Sequence, residues 1–170
     1  MTLRKLRRDE GATAVEFGLI AFPLFVLILG VLEMSMLFFM GIELEHGTQQ
    51  VARQIRTGQV PHGISKAEFA DRVCDEVAAL PDCASRLFVS VEVISDFASG
   101  TLDSPFDGTS GAFDPSAFPV EVGGPNEIVV LRTFYQWPLF TPVLSAPLAN
   151  MDTGKHRLLM ASQAMKNEPY

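Results

Sequence analysis

The sequence predicts an α+β protein in which a long N-terminal transmembrane helix continues into a small head with a three-stranded antiparallel sheet and one further helix. Three observations carry that expectation. Between Phe17 and Ile42 the only charged side chain is Glu33. Past Ile42 the apolar residues thin to a helical period, at Leu44, Val51, Ala52 and Ile55. Beyond residue 86, Leu87–Ile94 and Glu127–Trp137 are rich in branched and aromatic residues, as strands are, and Arg157–Met165 reads best as a third strand.

The N-terminal helix comes first. At about 1.5 Å per residue the Phe17–Ile42 run spans roughly 39 Å, enough to cross a hydrocarbon core of about 30 Å with some tilt. Arg4, Lys5, Arg7 and Arg8 precede it in a polar leader, residues 1–11, too short to hold structure of its own. A cleaved secretory signal has an apolar core of about 7 to 15 residues and a small-x-small cleavage site. This run is far longer and ends in Phe38-Phe39-Met40-Gly41-Ile42-Glu43. A plain signal anchor accounts for the length and the flanks but leaves Glu16, just ahead of Phe17, without a reason. A prepilin-type leader supplies one. Cutting after Gly11 makes Ala12 the new N-terminus and puts its amine one helical turn from the Glu16 carboxylate, so cation and anion offset each other within a chain or between staggered neighbours.

Within the helix, Pro23 removes a backbone hydrogen bond and is expected to kink or loosen it. Glu33 falls near the far edge of the hydrocarbon. Either it snorkels to the interface or it meets a partner, a helix of some machinery or a neighbouring subunit. Gly58, with Arg56 before it and Pro61 after, ends the helix.

The head is read from Ile64 onward. Ser65-Lys-Ala-Glu68 is a capping box, and Ala67, Phe69 or Ala70, Val73, Val77 and Leu80 predict a helix over 66–80, stopped by Pro81. Leu87–Ile94 alternates around Ser90 and Glu92, as a half-buried strand does. Residues 98–125 are heavy in Gly, Ser, Asp and Pro and read as a long loop tacked to the body by Phe106, Phe113 and Phe118. Glu127–Trp137 is the strongest strand signal. Pro138–Asn150 reads as a proline-punctuated connection with a helical turn near 144–150, and Arg157–Met165 as a last strand, although Leu158-Leu-Met-Ala fits a helix equally. The helix over 66–80 and the outer half of the long helix are expected on one face of the sheet.

Charge and cysteine orient the chain. Residues 1–11 hold four basic and two acidic side chains, and the remainder nine basic and eighteen acidic. The positive-inside tendency then makes the N-terminus cytoplasmic and the head extracytoplasmic, periplasmic in a diderm bacterium. An acidic head argues against nucleic acid. Cys74 and Cys83, the only two cysteines, are suited to a disulfide in an oxidising compartment, with two buried thiols as the alternative. His46, His62 and His156 are scattered, no metal or cofactor motif is found, and Asp103, Asp107 and Asp114 do not have EF-hand spacing. No catalytic signature appears, which favours a non-enzymatic role, and Phe134, Tyr135 and Trp137 are read as core or interface residues.

Over most of its length the chain resembles the TadE-like pseudopilins of the tight adherence (Tad, or Flp) pilus machinery. The likeness is carried by Gly11-Ala-Thr-Ala-Val-Glu-Phe17, Pro23-Leu-Phe, Leu29-Gly-Val-Leu-Glu33, Thr48-Gln-Gln-Val-Ala-Arg53 with Thr57-Gly58, the Cys74 and Cys83 pair, Tyr135-Gln-Trp-Pro138, and the tail Lys166-Asn-Glu-Pro-Tyr170. Family tails more often begin with Arg, so Lys166 departs from the pattern. The resemblance implies a minor pseudopilin anchored in the inner membrane and cut by a prepilin peptidase between Gly11 and Ala12, with Glu16 and Phe17 as the processing and assembly motif. Its implied partners are other Tad pseudopilins, the major Flp pilin and the inner-membrane platform proteins. The chain then divides into a cytoplasmic leader, residues 1–11, a transmembrane then amphipathic pilin-like helix, residues 12–58, and an extracytoplasmic α+β head, residues 59–170. The alternative is an uncleaved, signal-anchored periplasmic adaptor of a secretion or envelope complex.

Overall fold

The computed structural model describes the chain except residues 1, 2, 78, 99–101, 103, 109–111, 152, 153 and 170, with backbone alone at 3–10, 143 and 144. A single helix, α1, runs Leu3–Arg56, continuous through Gly11 and Pro23. The leader expected to lack structure is therefore helical from Leu3, because nothing between Leu3 and Gly11 breaks the backbone ladder. From Gly11 the helix is long and apolar enough to cross a membrane, with a mean hydropathy of 2.5 in its most apolar window. That fits a single-pass anchor.

One stripe of α1 is buried: Glu33, Leu37, Leu44, Gly47, Thr48, Val51, Ala52 and Ile55. The spacing of three and four residues turns them all toward the head. α1 ends where Gly58, at φ 71°, donates its N–H to Ile55, a left-handed closure that glycine makes without steric cost.

The head follows as α2 (Lys66–Asp75), α3 (Cys83–Arg86), β1 (Leu87–Ile94), β2 (Ile128–Pro138), α4 (Pro142–Leu148) and β3 (His156–Lys166). The capping box at Ser65 and Glu68 is closed in both directions. Helix α2 nevertheless stops at Asp75, short of the expected Leu80, and Val77 and Leu80 reach the core from the irregular chain that follows. Helix α3 is an addition to the expected elements, and the helical turn expected near 144–150 is α4, two residues earlier. Residues 156–166 are strand: pairing along the whole of β2 decides the ambiguity at Leu158–Ala161.

The sheet is antiparallel in the order β1-β2-β3. Central β2 has both faces covered along most of its length. Val129, Leu131, Thr133, Tyr135 and Trp137 face α1 and its neighbours, where the Thr133 and Thr48 hydroxyls share a 2.6 Å hydrogen bond. On the other face Phe134 packs with Phe88, Phe106, Phe113 and Phe118, so the 98–125 loop is held down by its aromatic residues. There Arg132 pairs with Glu92 and donates to the Ser90 hydroxyl. The outer edge of β1 is closed by the loop, Val91 donating to Pro119 and accepting from Glu121.

Candidate functional site

Three features on α1 and its contacts define the region. The first is the segment from Gly11 to Phe17, exposed throughout. A Cβ added to Gly11 would meet nothing within 4 Å, so among the described residues no other part of the chain covers the helix surface there. Gly11 is also a weak point, since glycine inside a helix costs roughly 1 kcal/mol relative to alanine. Among the described residues the Glu16 carboxylate has no partner. One turn of helix separates Ala12 from Glu16, the geometry that brings a freed Ala12 amine beside that carboxylate.

The second feature is Glu33. Its residue is 3% exposed, although it sits among the lipid-length apolar positions of α1. The segment entering α4 accounts for this. The Phe140 N–H donates to Glu33 Oε1 at 2.6 Å, and the Thr141 N–H reaches both oxygens, at 3.4 and 3.2 Å. The chain's own head thus supplies two backbone donors to this carboxylate. Composition pointed toward this and sequence spacing did not: no charged residue occurs from Pro138 to Met151, but nothing local ties that stretch to a position more than a hundred residues earlier.

The third feature locks the head against the foot of α1. Cys74 and Cys83 form a disulfide, with Cα atoms 5.8 Å apart. The Tyr135 hydroxyl donates to the Pro81 carbonyl inside the loop so closed. Burial raises the Tyr135 pKa and keeps the phenol a donor. The C-terminal tail completes the lock. Asn167, 2% exposed, donates through its side chain to the carbonyls of Val122 and Gly124. Glu168 donates its N–H to the Arg56 carbonyl and pairs with the Arg56 guanidinium at 3.0 Å. The tail residues that carried the resemblance therefore staple the last turn of α1 to the sheet, a role that sequence reasoning had not assigned.

Chemically the region is suited to anchoring and to protein contact. Among the described residues no group of three His, Cys, Asp or Glu side chains could hold a metal. Asp103 lies outside the described residues. The Ser116 hydroxyl and N–H hold the Asp114 carboxyl below the usual range, while the two flanking loop strands meet between Phe106 and Phe113.

No curated protein and no solved structure matches the chain significantly. A family model described as TadE-like protein matches residues 11–53. Those are the residues of the Gly11–Phe17 motif, the apolar run with Glu33, and the amphipathic half that packs on the head. Over these residues, about a quarter of the chain, the sequence is similar to the TadE-like family.

Proposed function

We propose that this protein is a minor pseudopilin that helps to initiate or support assembly of a Flp pilus. In this reading a prepilin peptidase cuts after Gly11, and the chain stays in the inner membrane by α1 with its head on the periplasmic side. It then meets other Tad pseudopilins, the major pilin and the platform proteins. The observation that carries the reading is the placement of Gly-x4-Glu-Phe, open to solvent, at the head of a membrane-length helix matched to the TadE-like family. An apolar helix can exchange lipid for neighbouring helices, and a fixed head limits how closely subunits stack, which suits a tip or a base better than a shaft.

The test is a host strain whose only copy of the protein carries Glu16→Ala. Head folding is unaffected, because Glu16 is exposed and outside the head. Piliation is expected to fall, with the protein still present in membranes. Normal piliation would remove the amine–carboxylate pairing from the account. If deletion of the whole protein also leaves pili intact, the pseudopilin reading fails in favour of an envelope adaptor.

A further inference from the structure

The stripe of α1 that faces the head begins at Glu33, well inside the apolar run. With the exposed Glu16 marking one edge of the hydrocarbon, Glu33 lies sixteen positions beyond Phe17, roughly 24 Å along the axis, whereas the core is about 30 Å thick. Tilt places it deeper still. The segment that covers Glu33 therefore lies at membrane depth, and its composition agrees. From Pro138 to Met151 there are fourteen residues without one charged side chain, in a protein whose head is acidic. Phe140 is 61% exposed, and Pro147 and Leu148 line an apolar groove against Phe22, Pro23, Val26 and Met34 of α1.

Where the segment covers Glu33, from 138 to 142, the backbone is accounted for donor by donor. Pro138 and Pro142 have no N–H. Leu139 donates to the Lys155 carbonyl, and Phe140 and Thr141 donate to Glu33. From 138 to 142, then, no backbone donor is left for water to satisfy, the condition on which irregular chain is tolerated in hydrocarbon. A loop in aqueous contact has no need of that closure.

We infer that Pro138–Met151 is a second membrane-contact element. It enters the hydrocarbon beside α1, the groove and Phe140 face acyl chains, and Glu33 serves as the internal acceptor that lets the loop enter. The head thus sits on the bilayer at two points, and α1 cannot move along the membrane normal without carrying α4.

The chain has a single tryptophan, Trp137, whose ring centroid is 5.7 Å from that of Phe140. The full chain is reconstituted in phosphatidylethanolamine–phosphatidylglycerol vesicles containing phosphatidylcholine brominated high or low on the acyl chain. Wild-type Trp137 is compared with the W137F/F140W variant, which moves the indole to the exposed position, and with W137F/F97W, whose indole sits at an exposed head site remote from α4. Loss of fluorescence to brominated lipid and protection from aqueous iodide at position 140, and the reverse pattern at position 97, are expected, with buried Trp137 as the reference. Quenching by iodide and not by bromolipid at position 140 would overturn the inference. So would protection from both quenchers, which would mean a second protein covers the patch. Should the double variants fail to fold, F140W and F97W in the otherwise unsubstituted chain carry the same readout over the constant signal of Trp137, which is 3% exposed and shielded from iodide in either case.

Discussion

Replacing Glu33 with alanine removes the acceptor of the Phe140 and Thr141 N–H groups, whose bonds to it are part-buried. An orphaned buried donor costs about 1–3 kcal/mol, so the pair should weaken attachment of the α4 segment by roughly 2–6 kcal/mol, and for part-buried bonds the lower end of the cost applies. The loss is local. Sheet pairing, the aromatic cluster under the loop and the disulfide lie elsewhere and do not depend on Glu33. Hydrogen exchange of the full chain in lipid nanodiscs reads this directly. At the lower figure, protection of the Phe140 and Thr141 amides falls by about thirty-fold, since about 1.4 kcal/mol is a factor of ten. Amides of Val129–Phe134 in β2 keep theirs. Glu33→Gln, which retains one acceptor oxygen but turns an NH2 toward the donors, should fall between wild type and Glu33→Ala. Unchanged protection at Phe140 and Thr141 in Glu33→Ala would refute the reasoning, as would an equal loss across β2.

Gly47→Ala sets helix propensity against packing. The new Cβ would stand 2.2 Å from Val77 Cγ2, and overpacking of about 1–3 kcal/mol outweighs a propensity gain of about 1 kcal/mol, so thermal unfolding should shift down. An unchanged or raised midpoint would contradict the tight approach of α1 to the chain after α2. The double substitution Cys74→Ser, Cys83→Ser opens a loop of sequence separation 9, for which chain entropy gives about 2.5 kcal/mol, and denaturant unfolding should show a loss of that order. Equal stability with and without the bridge would remove it from the head's account. Glu68 accepts from the Ser65 hydroxyl and N–H, and those bonds hold its pKa below the ordinary glutamate value. Because the folded pKa is the lower one, the contribution is complete above the unfolded pKa and disappears as pH falls through the folded value. An NMR titration should find the Glu68 midpoint depressed in wild type and raised part of the way back in Ser65→Ala, which keeps the backbone N–H donor; no difference between the two would count against the capping box.

What could be read from the sequence follows from how local each signal is. The membrane-length helix, the capping box at Ser65 and strands β1 and β2 rest on periodicity and composition within a few residues, and these lie close to where they were expected. Helix α2 ended early because Val77 and Leu80 are buried without being helical: an apolar pattern reports burial, and the disulfide with the Tyr135–Pro81 contact holds that stretch in place instead. The last strand was ambiguous because Leu158-Leu-Met-Ala fits either period, and its pairing with β2, a tertiary interaction, decided it. The Glu33 clamp and the Asn167–Glu168 staple join residues far apart in the chain. Only Glu33, a carboxylate among lipid-length apolar residues, was marked by its context as needing a partner; nothing local marked the tail.

The central claim is that the membrane helix is the processed, assembly-competent part of a pseudopilin, and the mass of the mature chain's N-terminal peptide from native membranes tests it most directly. The account predicts a chain beginning at Ala12, its free amine one turn from Glu16. A chain still carrying Met1 or Thr2 would contradict it and leave an anchored adaptor with an intact leader.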